Sequence, residues 1–326
     1  MVVEATRTRL ALDNLVATAQ RRGLLLDRPT GEGTDLRARV PMTALYETWE
    51  TLDRAGIGPE FALEVADHSR GSSKNLVRMV AGSAPDLAGA LRAAARYWPL
   101  VTDAHGIEVQ LGRSADLIFG PVPERLGARR DLLFSAVAIL RYLQRWSPTA
   151  PLGALHLRES PWPATARSFL ERELGVAIHF GAAADRIHLE APGPEGKLRG
   201  SDDGLHTVLT ERAEALLATV GPSASVLARV WDVLPEVCRA EAPQRAAARA
   251  LGTSPRSLRR ALTAEGTSFA AELDRFRASR AGLWLHALDD RALAERLGFA
   301  DARSFRRAFV RWNQCTPAAA RDLTPR

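Results

Sequence analysis

Ala248-Arg249-Ala250-Leu251-Gly252-Thr253-Ser254-Pro255-Arg256-Ser257-Leu258-Arg259-Arg260-Ala261-Leu262 reads as a short helix ending in Leu-Gly, a turn, and a second helix. The pattern returns as Ala294-Glu295-Arg296-Leu297-Gly298-Phe299-Ala300-Asp301-Ala302-Arg303-Ser304-Phe305-Arg306-Arg307-Ala308-Phe309. A repeat of this kind has the helix-turn-helix layout. Gly252 and Gly298 stand where a helix ends and a positive φ is needed. Ser254 or Asp301 can cap the next helix, and Pro255 suits its first turn. On the second helix of each unit, Leu258, Ala261 and Leu262, or Phe305, Ala308 and Phe309, form the inward stripe. Arg256, Arg259 and Arg260, like Arg303, Arg306 and Arg307, are left outward, three and four residues apart, as one cationic face about a turn long. Guanidinium groups so placed can pair with O6 and N7 of guanine in a major groove or lie against phosphates.

Charge is distributed to match. The chain of 326 residues carries a net charge of +6, and residues 240–326 hold sixteen Arg, no Lys and nine acids, a local balance of +7. All of the excess positive charge therefore sits in the last quarter. Only Lys74 and Lys197 are lysines, so arginine stands in for lysine throughout, and placement rather than abundance carries the argument.

The remaining chain has a different grammar. Helical periodicity runs from about Thr8 to Arg22, from Met42 to Ala55 with Leu45, Trp49 and Leu52 on one face, and from Leu87 to Trp98 after Pro85-Asp86. Between 106 and 123 the period becomes two, and a hairpin turns at Gly112-Arg113-Ser114-Ala115-Asp116. Further strands are expected at Leu155–Arg158, Val176–Phe180 and Arg186–Glu190, with helices at about 129–146 and 163–174, an α+β domain with antiparallel strands. Ala191–Lys197 reads as a loop, a helix follows at about 201–219, and beyond Gly221-Pro222-Ser223 only helices are expected. This places an α+β domain at 1–220 and an all-α domain of two helix-turn-helix units joined by a long helix at 221–326.

The segment from about 226 to 323 resembles the DNA-binding domain of AraC/XylS-type transcription regulators. Glu265-Gly266-Thr267-Ser268-Phe269 resembles the family's link after the first recognition helix. Asp274, Arg277 and Ala281 resemble its joining helix. Leu297-Gly298-Phe299-Ala300-Asp301, Phe305–Phe309, Arg311-Trp312 and Thr316-Pro317 resemble its second unit. Gln314 stands where the family usually has Gly, Ala320 replaces a frequent Tyr, and Gly282 interrupts the joining helix. Met42–Trp49, Leu87–Tyr97 and Phe180-Gly181-Ala182-Ala183-Ala184-Asp185 resemble the regulatory domain called "arabinose-binding". The resemblance implies double-stranded DNA as partner, with helices at about 255–264 and 302–312 entering successive major grooves. It assigns DNA contact to Arg256, Ser257, Arg259, Arg260, Arg303, Ser304, Arg306 and Arg307. It also leaves room for a small-molecule effector at the amino-terminal domain, a homodimer, and RNA polymerase as partner of an activator.

Other classes fare worse. No His-Glu-x-x-His, Gly-x-Ser-x-Gly or Walker sequence occurs, Gly193–Leu198 has the wrong length for a phosphate loop, and Gly31–Leu36 lacks the third Gly of a dinucleotide loop. No catalytic residue, cofactor or metal is read. An enzyme or metabolite-binding protein with an accessory DNA-binding domain is the alternative. His179 and His188, on strands expected to be neighbours, lack a third ligand. His156, Tyr46, Trp49, Arg96 and Trp98 read as core or surface residues rather than a pocket. Two cysteines, Cys238 and Cys315, are too few for a disulfide framework and fit a bacterial cytoplasm. The amino terminus lacks a signal peptide's apolar stretch, and no membrane helix is expected.

Overall fold

The computed structural model describes every residue except 1–4, 25, 27–37, 70–74, 113, 149–151, 191–196, 221–224 and 324–326. The Gly31–Leu36 stretch, all of the 191–197 loop but Lys197, and the Gly221-Pro222-Ser223 breakpoint lie outside the described residues. The chain falls into two compact units, Met1–Gly181 with Asp185–Ser225, and Val226–Arg326 with Ala182–Ala184.

In the first unit, β1 (Thr6–Thr8) leads into α1 (Arg9–Arg21), β2 (Arg39–Pro41), α2 (Met42–Arg54), α3 (Phe61–Ser69), α4 (Leu76–Ser83) and α5 (Leu87–Tyr97). Then come β3 (Ile107–Leu111), β4 (Ala115–Phe119), α6 (Leu126–Trp146), β5 (Leu152–His156), α7 (Ala164–Leu174), β6 (Ala177–His179), β7 (Arg186–Leu189) and α8 (Asp203–Leu217). The α5 start is fixed by Asp86, whose carboxylate accepts the Gly89 N–H at 2.6 Å. Strands β1 and β2 form a small antiparallel ribbon, and the other five form one sheet in the order β3-β4-β7-β5-β6. The β5–β6 pair is parallel, with α7 as the crossover that parallel neighbours require. The antiparallel pairing expected holds for β3–β4, β4–β7 and β5–β7, and the parallel β5–β6 pair makes the sheet mixed. Leu117, Leu155, Ile178, Ile187 and Leu189 are buried on one face, in the core that α6 also enters.

Helix α6 is buried on nearly every side, and α2 and α3 both pack against it. It begins at Leu126, earlier than periodicity indicates, because Glu50 holds Arg125 at 2.7 Å and Gly127 lies so close to the Tyr46 backbone that a Cβ would come within 2.2 Å of its carbonyl oxygen. Its first turns carry three buried charged residues, each with an opposite partner. Asp131 binds Arg7 at 2.6 Å, Arg129 binds Asp185 through two bonds of 2.9 and 2.8 Å, and Arg130 approaches Glu159 at 3.5 Å. Tyr46 and Trp49 are core residues, Trp98 is buried but, against the expectation, lines a cavity, Arg96 pairs with Glu214 outside the core, and His156 is half-buried on the sheet.

The second unit is helical: α9 (Val226–Val237), α10 (Pro243–Ala250), α11 (Pro255–Ala264), α12 (Phe269–Trp284), α13 (Asp290–Arg296), α14 (Ala302–Asn313) and α15 (Pro317–Leu323). It has two small cores. Leu227, Leu234, Leu258, Leu262 and Phe276 belong to one, and Ala281, Leu293, Leu297, Phe305 and Phe309 to the other. Helix α12 contributes to both and therefore joins them.

Candidate nucleic-acid interface

The two helix-turn-helix units are α10–α11 and α13–α14. Each second helix starts on a side-chain cap. Ser254 Oγ accepts the Ser257 N–H at 3.1 Å, and Asp301 Oδ1 accepts the Ser304 N–H at 2.6 Å, a bond that, first among several, holds the Asp301 carboxyl below the usual carboxylate range. Gly252 and Gly298 end the preceding helices at φ +64 and +72, where a left-handed residue is required. They are not equivalent. A Cβ on Gly252 would meet nothing within 4 Å, whereas on Gly298 it would fall 2.2 Å from the Cys238 carbonyl oxygen.

That close approach belongs to a junction built by Arg277. From α12 its guanidinium donates to the carbonyls of Leu297, Gly298 and Cys238 at 2.7, 2.8 and 3.1 Å, and it lies 4.6 Å from the Phe299 ring centroid. One side chain thus satisfies the carbonyls left unpaired where α13 ends and fastens that end to α9. Asp274, one turn earlier, accepts from Arg311 at 2.6 Å and from Trp312 Nε1 at 2.9 Å, holding the far end of α14 to the same helix.

With Leu258 and Leu262, and Phe305, Ala308 and Phe309, turned into the cores, Arg256, Arg259, Arg260, Arg303, Arg306 and Arg307 are all exposed. Arg256, Arg259, Arg260 and Arg303 have no side-chain partner among the described residues. Arg306 differs, since its Nε lies 3.8 Å from Asp290, itself held by Arg321 at 3.0 Å. Ser257 is exposed but its hydroxyl accepts from Ser254 at 2.9 Å, and Ser304 is half-buried at the α14 cap. Val310, 40% exposed, extends the Arg303–Arg306 row by one turn. Sequence reasoning passed over it, although an apolar residue four positions after Arg306 falls on the outward face and can meet a thymine methyl group.

The histidine expectation changes. Strand β5 separates β6 from β7, so His179 and His188 are not on neighbouring strands. His156 lies between them, stacked on His179 with centroids 4.9 Å apart, and burial pushes its pKa down to about 3. Among the described residues no group of three His, Cys, Asp or Glu could hold a metal ion, and no helix is long and apolar enough to cross a membrane.

Comparison with known proteins adds the decisive observation. Residues 29–192 match the arabinose-binding domain of AraC transcription regulators, and residues 247–322 match a helix-turn-helix domain. The chain belongs to the AraC-type transcription regulators. Like other AraC-type chains, it couples an α+β amino-terminal part to the duplicated helical motif. The ornithine utilization regulator of Pseudomonas aeruginosa is 33% identical over 164 residues, 50% of this chain and 48% of that protein. That match spans about half the length of the curated relative. The crystal structure of the transcriptional regulator CdpR from Pseudomonas aeruginosa aligns over 96% of this chain and 98% of its own, at 21% identity and a TM-score of 0.48.

Proposed function

We propose that this chain is a sequence-specific DNA-binding transcription regulator of the bacterial cytoplasm, with residues 221–326 reading the operator and residues 1–220 sensing an effector or dimerising. The reading is carried by two capped helices in one unit, each with three arginines exposed opposite its buried stripe. Helices α11 and α14 enter successive major grooves on one face of the duplex, about one turn or roughly 34 Å apart. Arg256, Arg259, Arg260, Arg303, Arg306 and Arg307 contact bases or the bordering phosphates, with Ser257 and Ser304 beside them at the helix starts. Bending of the duplex seats both helices. A small molecule bound to the amino-terminal domain changes this affinity, and RNA polymerase is the partner if the bound protein activates.

Salt-titrated gel shifts on fragments selected from genomic DNA test the assignment with the full chain. Arg306→Ala or Arg307→Ala should lower specific affinity by roughly 1–3 kcal/mol where the residue reads a base, and reduce the salt slope by about one where it meets phosphate. Substitutions at all six arginines that change neither quantity would remove α11 and α14 from the interface.

A further inference from the structure

The amino-terminal unit contains a cavity bounded by α1, α4, α5 and α6. Its volume is about 80 Å³, several times the 10–15 Å³ or so that one water needs. Its walls are mainly apolar, with Leu91, Phe134, Ile139, Leu143 and Trp146 prominent. Among the described residues no Asp or Glu belongs to the lining, and its charged members are Arg7 and Arg78.

Most polar groups of the lining are already engaged within the protein. Ser69 donates to the Ala66 carbonyl, Asn75 caps α4, and Ser135 donates to the Asp131 carbonyl while accepting from Arg7. Two donors are not. Arg7 is 2% exposed and Trp98 6% exposed, yet Arg7 Nε and Trp98 Nε1 are buried without a hydrogen-bond partner. Buried N–H groups are normally paired, and leaving one unpaired is unfavourable. The other edge of the Arg7 guanidinium is fixed by Asp131 at 2.6 Å and Ser135 at 2.9 Å, which leaves the Nε edge oriented and unused.

An occupant must therefore bring apolar surface and an oxygen acceptor. A pentose fits this wall less well: its hydroxyl protons need acceptors, whereas the described lining residues include no carboxylate and Arg7 Nε and Trp98 Nε1 can only donate. Resting on the regulator reading above, we propose that this cavity is the effector site and that its ligand is an aromatic or alkyl carboxylic acid, carboxylate on Arg7 and Trp98, rather than a sugar.

Thermal unfolding and tryptophan fluorescence of the full chain, titrated with 2-naphthoate, decanoate, the methyl ester of each and L-arabinose, test this. At least one acid should raise the unfolding midpoint, its ester should bind at least tenfold more weakly, and L-arabinose should leave the midpoint unchanged. Trp98→Phe keeps a ring in the core but removes the Nε1 donor, and should weaken the acid about tenfold. Ala94→Trp, at a half-buried position of the lining, should abolish its effect. Stabilisation by L-arabinose, no response to either acid, or equal response of wild type and Ala94→Trp would each overturn the proposal. Gel shifts on the same preparations separate the two readings. A chain that binds its operator but neither acid has lost only the ligand class. One that binds an acid but no DNA overturns the effector role together with the regulator reading.

Discussion

Three arginines are buried in the amino-terminal unit of this molecule, whereas the two arginine trios on α11 and α14 face outward. In the amino-terminal unit Arg7, Arg129 and Arg130 are buried, and Asp131, Asp185 and Glu159 lie 2.6, 2.8 and 3.5 Å from them. In the carboxyl-terminal unit Arg256, Arg259, Arg260 and Arg303 are exposed without a side-chain partner among the described residues. The residue type is the same; the supply of acids at contact distance is not. Burial in the first unit is tolerable only because every guanidinium meets a carboxylate. The charge that folding leaves uncompensated in the second unit remains available to phosphates and base edges.

The comparison predicts its largest effect at Asp185, which accepts two bonds from Arg129 and a third from the Arg158 backbone N–H at 2.9 Å. Asp185→Ala leaves a buried cation unpaired and should cost roughly 3–5 kcal/mol of stability in urea unfolding. Arg256→Ala should stay within about 0.5 kcal/mol in the same assay. Equal losses at the two positions would break the distinction between structural and free arginines. Next in size comes the contrast between the two turns. Gly298→Ala adds an overlap with the Cys238 backbone to a left-handed φ and should destabilise by roughly 3 kcal/mol. Gly252→Ala, with only the φ to contend with, should cost about 1 kcal/mol.

What was legible in the sequence followed from periodicity. Helix α2 shows its stripe at Leu45, Trp49 and Leu52 and stops at Gly56, and the outward arginines are the complement of Leu258 and Leu262 on the same helix. Helix α3 was not legible because Phe61, Ala62, Leu63, Val65 and Ala66 are all buried, leaving too narrow a polar face to set a period. Strands β1 and β2 are three residues each, too short for alternation to register. Strand order and direction are equally silent: alternation in Ala177–His179 does not say that β6 runs parallel to β5 or that β5 separates it from β7, and so His179 and His188 are not on the neighbouring strands that the sequence suggests. At the interface, the approach of Asp290 to Arg306 joins separate helices, and the cavity wall draws on residues from Arg7 to Trp146; no local pattern encodes either.

Among the exposed arginines the comparison sharpens further. Arg303 has no side-chain partner among the described residues, whereas Arg306 leans on Asp290. Arg303→Ala should therefore weaken specific DNA binding by roughly 1–3 kcal/mol if it reads a base, with no change in unfolding midpoint. Arg303→Lys distinguishes its two roles, because lysine keeps a point charge for phosphate but loses the planar fork that pairs bidentately with guanine. Retained affinity in gel shifts would assign Arg303 to the backbone, and lost specificity at one base pair would assign it to the groove.

The smallest effect tests whether stability and binding in this unit are separable at all. Gln314 is the one non-glycine residue at positive φ among those described, at 56°, where it ends α14. Its side chain returns only a 3.3 Å bond to the Arg311 carbonyl. Gln314→Gly removes the steric penalty of the left-handed conformation and should stabilise the unit by about 1 kcal/mol. Because Gln314 lies beyond the last turn of α14 and carries no charge, operator affinity and its salt slope should be unchanged in gel shifts. A gain in urea stability accompanied by a change in affinity would mean that the end of α14 is itself adjusted to the duplex, and that the exposed arginines do not act alone.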